Sequence, residues 1–502
     1  MKHKKNKIVV IGIDGMDSML LSQFIDELPN LKKLRENGYE IKSKSVFPPD
    51  SPTAWMSIYT GLNPAKHGGV FFKDPLNPKE AGEHTSINIA DKTFWDIISK
   101  SGGKVCVLFP HMGYPPWNVN GVIVGRTTET DLKEFDIKVT PEKELYKRYD
   151  LSQLKPLSSY PLNLNDLVNE TKKLISKEVE FGLKIFNDFD WDIFFIYFSS
   201  LDNIEHIFWM YCDEDDPEHP PDNPYKNVIR DMYKFYDKEV IGKFMDKIEK
   251  LKSGEGSGIS MIVLSDHGHA MRPVNIININ EFLRQKGMLY SKIKNKVGKH
   301  YLIEKIKKQM ANIISENRVV GKLASLFLKL FPGALKSYTS SSPIDFNKTI
   351  AYVSDPSGGI KAYSYGGIKI VKDNISNNND YEEIKDLLIN HLSELKEIEW
   401  CNKREEIYGG QYINKYPDIL FKLREGYGVG WNVNEGIYGR SYSHKLHSGN
   451  HRQDTSVFIL SPANDFNIRT KYMNITDIAP TILDILDIKG KFNFDGKSII
   501  DK

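Results

Sequence analysis

Cysteine is scarce in this chain: three residues, Cys106, Cys212 and Cys401, in 502. An odd number so widely spaced argues against a disulfide framework, and without a Cys-x-x-Cys pair there is no thiolate zinc site. Long hydrophobic runs are missing too, since no stretch approaches the ~18 apolar residues of a membrane span. The basic start MKHKKNK leads into IVVIGID, but Asp14 interrupts that apolar run too early for a signal peptide. A cytoplasmic location is the resulting expectation. Net charge is nearly absent, with 68 Lys and Arg against 66 Asp and Glu. The chain therefore has no global field that would draw it to nucleic acid. No internal repeat or low-complexity tract is present.

What remains is an ordinary globular composition, 40% hydrophobic and 27% charged, on a chain long enough for two or three domains or one large α/β domain with an insertion. KIVVIGI (7–13), KVCVLF (104–109), DWDIFFIYFSS (190–200), SMIVLSD (260–266) and TSVFIL (455–460) read as buried strands. Helical stretches separate them at 18–37, 165–187 and 226–252, and another follows within 473–486. Strands alternating with helices predict a doubly wound, mostly parallel α/β sheet. Between about 275 and 440 the pattern changes to a basic helical segment, a short strand KTIAYVSD and two Gly/Tyr-rich sections. We expect a catalytic α/β domain formed by 1–275 and 440–502, with 276–439 inserted as a cap.

Three acids follow apolar runs: Asp14, Asp202 and Asp266. In open α/β sheets ligands bind at the carboxyl ends of the strands, so these acids would converge on one edge. One such Asp is most simply a turn or cap residue; three, two of them near a histidine, point to a site. Asp202 and His206 are four residues apart, on one face of a helix. Asp266 and His267 are adjacent on a turn, with His269 a competitor for His267. His451 lies in GNHRQD, with His444 and His447 as competitors among 13 histidines. Mixed Asp/His ligation suits zinc, with manganese or iron as alternatives. Two such ions about 4 Å apart clamp a phosphoryl oxygen and activate an attacking one.

Ser51 lies in FPPDSPTAWMSIYTGLNPAKHG (47–68). Serine at an N-cap, Pro52 at the first helical position and Gly61 beyond the end describe a well-capped helix. The same geometry puts a hydroxyl beside the positive end of a helix, where phosphate binds. Thr53 is the alternative nucleophile, one step into the helix and expected to point away.

Together these motifs resemble the alkaline phosphatase superfamily, in its type I phosphodiesterase/nucleotide pyrophosphatase branch. The resemblance rests on IGIDG, PPDSPTAWMS, TGLNPAKHG, DNIEH, SDHG, GNHRQD and DIAPTIL. It covers most of 7–275 and 440–500. It implies one ion held by Asp202, His206 and His451, and a second held by Asp14, Asp266 and His267 with Ser51 as its nucleophilic ligand. It also implies His451 over His447. Two departures stand out. Many members carry Thr where this chain has Ser51. Nucleotide pyrophosphatases place an Asn about twenty residues after the nucleophile, where this chain has Phe72. Lys73 or Asp74 could contribute to substrate binding instead.

The implied activity is two-metal hydrolysis of a phosphodiester or phosphoanhydride, nucleotide-type, through a phosphoseryl intermediate. The alternatives are a phosphomonoesterase, a phosphonate or lipid head-group hydrolase, or an inactive metal-binding regulator. A sulfatase is disfavoured, because SPTAW lacks the Ser/Cys-x-Pro-x-Arg context. Cofactor-independent phosphoglycerate mutase is disfavoured by the roughly 180 residues between His267 and His451. The expected partner is a small phosphoester. The basic segment 292–336, with eleven Lys/Arg against two Glu, reads as a cap helix with solvated lysines in preference to a membrane-surface contact.

Overall fold

Strands rich in Ile, Val and Phe and buried on both faces can only sit in the middle of an α/β layer structure, and this is where the computed structural model has them. It describes residues 6–76, 88–127, 136–141, 148–155, 163–255, 258–292, 344–359, 361–375, 378–441, 443–464 and 466–501. One eight-stranded sheet runs in the order Tyr39–Glu40, Phe458–Ser461, Ile259–Leu264, Lys7–Ile13, Ile193–Phe198, Val105–Leu108, Gly121–Arg126 and Ile137–Thr140. The strands from Ile259–Leu264 to Gly121–Arg126 are parallel. The flanking strands pair antiparallel. The expected doubly wound α/β fold is therefore present.

Element boundaries depart from the sequence pattern at two informative places. The expected helix over 18–37 is broken into Ser18–Phe24, a 3-10 turn Ile25–Glu27 and Pro29–Glu36. Pro29 has no N–H and keeps Leu28 out of the helical region, at φ −119° and ψ 70°. The expected helix over 226–252 passes through a π-helical turn at Tyr236–Gly242. There buried Asp237 turns to the start of the Pro29–Glu36 helix and accepts from the N–H of Leu31 at 2.7 Å. A helix start leaves N–H groups without partners, and this carboxylate meets two of them, accepting from the N–H of Asn30 at 3.2 Å as well.

Residues 275–440 carry a four-stranded antiparallel sheet, Ala351–Ser354, Tyr365–Ile370, Ile419–Leu423 and Ile398–Lys403. It has a hydrophobic core of its own around Ile277, Val353, Ile368, Leu388 and Phe421. A smaller cluster joins Phe47, Ala65 and Phe72 to Tyr363, Tyr365, Tyr416 and Leu420 of this part. The basic segment lies outside the described residues from 293 onward. No helix among the described residues is long and apolar enough to cross a membrane.

Candidate active site

Three neighbouring strands deliver the acids. Asp14 directly follows Lys7–Ile13, and Asp266 comes two residues after Ile259–Leu264. Asp202 lies in the first turn of the helix Ser200–Cys212, which leaves the end of Ile193–Phe198. Because the strands are parallel and in register, their carboxyl ends coincide and the acids meet. Gly15 makes the meeting possible. Its φ is +74°, and a Cβ there would lie 2.9 Å from the His269 ring and 3.2 Å from Asp202 Cα. Its N–H donates to Asp266 Oδ1 at 3.2 Å.

Imidazoles then close around the acids. His206 lies one turn after Asp202, with Nε2 3.4 Å from Asp202 Oδ1. His451 arrives from far along the chain because Gly449–Arg452 pairs antiparallel with Gly268–Met271, setting His451 opposite His269. Arg272, fully buried, fastens that pairing by donating to the carbonyls of His447 at 2.6 Å and Gly449 at 2.7 Å. His451 Nε2 is 3.0 Å from His206 Nε2 and 3.4 Å from Asp202 Oδ1. His267 Nε2 lies 3.4 Å from Asp266 Oδ2 and 3.6 Å from Asp14 Oδ1. Of the competitors, His444 is committed elsewhere, to Asp216 at 2.9 Å and the Arg272 carbonyl at 2.8 Å. His269 does join the cluster, with Nε2 3.5 Å from Asp202 Oδ1.

The donor set fits divalent cations. The Nδ1 atoms of His206, His267 and His451 face the carbonyl oxygens of Gly449, Gly268 and Pro49 at 2.9, 3.1 and 2.7 Å. That leaves their Nε2 lone pairs directed inward. Asp202 Oδ1, Asp266 Oδ2 and His269 Nε2 are buried without a hydrogen bond. Burial, then the charge of Asp202, pushes Asp14 well above the carboxylate range. Burial, then Asp14, does the same to Asp266. Asp202 is held well below that range: burial opposes this, but the three imidazoles around it outweigh burial. Burial also lowers His206 and His267 well below the usual imidazole range, toward the neutral, ligating form. Two groups of side chains result, Asp202 with His206, His269 and His451, and Asp14 with Asp202 and His267. Asp266 completes the second through its contact with His267.

Glu205 lies behind His269, fully buried, with Oε2 2.9 Å from His269 Nδ1. The Nδ1–H itself aligns on the Gly15 carbonyl at 3.3 Å, so the Glu205 contact is one of charge more than of an aligned hydrogen bond. Burial lowers the pKa of His269, but Glu205 and Asp202 outweigh it and raise the ion-free imidazole to about 9. Glu205 is pushed up to about 7 by burial.

Ser51 is the first residue of the helix Ser51–Thr60, with Asp50 as its N-cap residue. The expectation of Ser51 at the cap is corrected by one position, and the difference matters. A capping hydroxyl would be spent on the helix, whereas Ser51 Oγ points to His267 Nε2 at 3.1 Å and Asp14 Oδ1 at 3.3 Å. Thr53 is fully buried and makes no hydrogen bond to these groups. One turn beyond Ser51, Trp55 Nε1 donates to Asp14 Oδ2 at 3.0 Å, and the Tyr197 hydroxyl donates to the same oxygen at 2.5 Å. Sequence reasoning weighed His269 only as a competitor of His267 and missed Glu205, Trp55 and Tyr197 as parts of the site. His269 and Trp55 carry a usable signal, two residues from His267 on a strand and four from Ser51 on a helix.

A cleft of about 350 Å³ opens over Asp14, Ser51 and Asp202. Lys73 and Lys361 line it, together with His111 and Tyr363. Neither lysine has an ion-pair partner among the described residues. Burial of its ammonium end, then repulsion from Arg272, lowers Lys361 to about 8. Phe72, by contrast, is turned into the aromatic cluster, with its ring 5.7 Å from Tyr416. Asp74 is occupied by Lys369 at 2.6 Å and Tyr352 at 2.6 Å.

A parallel α/β sheet that carries acids and imidazoles at its carboxyl edge, beside a helix-borne hydroxyl, defines a metal-dependent hydrolase. The profile of the type I phosphodiesterase / nucleotide pyrophosphatase family matches residues 8–451, and the chain belongs to that family. Among solved structures it is similar to phosphonoacetate hydrolase from Sinorhizobium meliloti 1021 in complex with phosphonoformate, at 15% identity and TM-score 0.55, over 97% of this chain and 96% of the other. The same enzyme with phosphonoacetate matches at TM-score 0.53. Murine ectonucleotide pyrophosphatase / phosphodiesterase 5 aligns over 99% of this chain and 100% of its own at TM-score 0.49 and 13% identity. No curated protein sequence matches significantly.

Proposed function

We propose that the chain is a two-metal phosphohydrolase that cleaves a phosphodiester or phosphoanhydride through a phosphoseryl intermediate at Ser51. The observation that carries this reading is the Ser51 hydroxyl, unspent on capping and set between Asp14 and His267. One ion would be held by Asp14, Asp266 and His267, the other by Asp202, His206 and His451, with zinc the first candidate and manganese the second. Such ions supply Lewis-acid charge that lowers the cost of a serine alkoxide and neutralises the phosphoryl oxygens. Ser51 Oγ attacks phosphorus in line, forming its O–P bond as the bond to the leaving oxygen breaks. The helix that begins at Ser51 turns its positive end to the phosphoryl group. Water then displaces Ser51 from phosphorus, releasing phosphate or a phosphomonoester and restoring the hydroxyl.

A second reading, hydrolysis of a small phosphonate or monoester with an extra negative charge, is favoured by Lys73 and Lys361 on the cleft wall and by Phe72 where nucleotide pyrophosphatases have Asn. Metal-reconstituted protein assayed on bis-p-nitrophenyl phosphate and p-nitrophenyl phosphate separates the two. Faster turnover of the diester supports the first reading and faster turnover of the monoester the second. Inactivity on both with two ions bound sinks both.

A further inference from the structure

We propose that His269 is a direct ligand of the ion assigned to Asp202, His206 and His451, held in place by Glu205, so that four side chains grip this ion. The proposal rests on the metal reading above and adds a residue to it.

Four ligands around a zinc-sized ion at bond lengths of about 2.0–2.1 Å lie about 3.3–3.4 Å from one another in a tetrahedron. From Asp202 Oδ1 the distances to His206, His451 and His269 Nε2 are 3.4, 3.4 and 3.5 Å. The fourth ligand is therefore spaced as the other three are. His269 is fully buried, so an Nε2 lone pair without a partner is costly. Asp202 Oδ1 is buried without a hydrogen bond as well. A cation between these two atoms, 3.5 Å apart, would satisfy both at once.

The other ring nitrogen is set for ligation. Nδ1–H is directed to the Gly15 carbonyl and lies against Glu205 Oε2. An outer carboxylate or carbonyl on the far nitrogen fixes the tautomer of a metal-bound histidine and makes it more basic. Glu205 is itself oriented, accepting from the Tyr233 hydroxyl at 3.0 Å, and Tyr233 accepts from the N–H of Asp17 at 2.8 Å. Asp17 Oδ2 accepts from the His269 N–H at 3.1 Å. The ring's backbone and its far nitrogen are thus tied to one connected network.

Four protein ligands close a tetrahedral site, whereas catalytic sites keep a position open. At this position an ion that contacts substrate oxygen must accept a fifth ligand.

The test is cobalt(II) binding to ion-free full-length protein, followed by equilibrium dialysis and visible absorption, in wild type, His269→Met and Glu205→Gln. Wild type should take up two ions. His269→Met should keep one and weaken the other by about 100-fold or more, with a changed absorption band. Glu205→Gln should weaken the same ion by about 10–100-fold with the band position kept. Glu205→Gln decides alone if His269→Met does not fold. Wild-type affinity and spectrum in both variants would make His269 a hydrogen-bond donor to Asp202 and overturn the proposal, leaving the phosphohydrolase reading intact if Ser51-dependent turnover persists. A wild type that binds no ion removes both.

Discussion

The Ser51 hydroxyl lies 3.1 Å from Nε2 of His267, and nothing in this pairing resembles a base held in reserve. His267 Nδ1 faces its neighbour's carbonyl rather than a carboxylate, and Nε2 is shared with Asp14 and Asp266. On the proposed reading the imidazole is a cation ligand beside a nucleophile, which separates this site from a Ser-His-Asp triad.

Ser51→Ala should lower kcat/KM for a phosphodiester by at least about 10³-fold, with both ions still bound by elemental analysis. Ser51→Thr should retain substantial activity, since it keeps a hydroxyl at the same place. Acid-quenched wild type should carry phosphate on the peptide that contains residue 51. Near wild-type turnover by Ser51→Ala would remove the covalent scheme.

Ion removal should destabilise the fold. Asp14 and Asp266 are both buried and pushed up, Asp14 by burial and then Asp202, Asp266 by burial and then Asp14, a repulsion that dications relieve. Binding to the native state alone stabilises by about 2.7 kcal/mol at a concentration of one hundred times Kd. Chelation should lower Tm by several degrees and excess zinc or manganese should restore it. A Tm indifferent to chelator and metal would contradict the site.

Lys361 gives a pH signature. Burial lowers its pKa to about 8, so it is charged below that pH and neutral above it. A charged lysine facing the cleft favours an anion, so affinity for a competitive anionic inhibitor such as sulfate should be full below pH 8 and fall as pH rises through it. For folding the sign is opposite, because a depressed lysine pKa costs stability while the charge is buried and the cost fades as pH rises. Lys361→Met should weaken inhibitor binding at pH 7 and flatten this limb of the profile. An unchanged profile in the variant would exclude Lys361 as its source.

The acids of the site were legible in the sequence because each is a local event, a carboxylate shortly after a buried apolar run. Asp14, Asp202 and Asp266 each follow such a run, and parallel pairing does the rest. The local pattern misled where one residue decides the outcome, as at Pro29, which splits an expected helix, and at Ser51, which stands one position inside its cap. Glu205 and Lys361 were beyond reach for another reason, and His269 stood out only as a competitor of His267. Their roles come from the Gly449–Arg452 pairing and from the packing of residues 345–430 against the cleft, contacts across hundreds of residues that no periodicity encodes.

Trp55 and Tyr197 test how far that packing tunes the chemistry. Both donate to Asp14 Oδ2, and their rings meet edge-on at 4.9 Å. These two donors hold the carboxylate with Oδ1 free to face Ser51 and His267. Tyr197→Phe removes one donor with little change in volume, so stability should fall by no more than about 1–3 kcal/mol. Trp55→Phe removes the other and leaves some empty space. Each should weaken the Asp14 ion by about 10–100-fold, the usual effect of an outer hydrogen bond on a metal ligand. Because they share one acceptor atom, the double variant should lose more than the sum of the single losses in kcal/mol, the remaining donor covering for the missing one in each single variant. Zinc titrations of the four proteins measure this coupling directly. Strictly additive losses would mean that Asp14 is positioned by the strand it follows, without help from either donor.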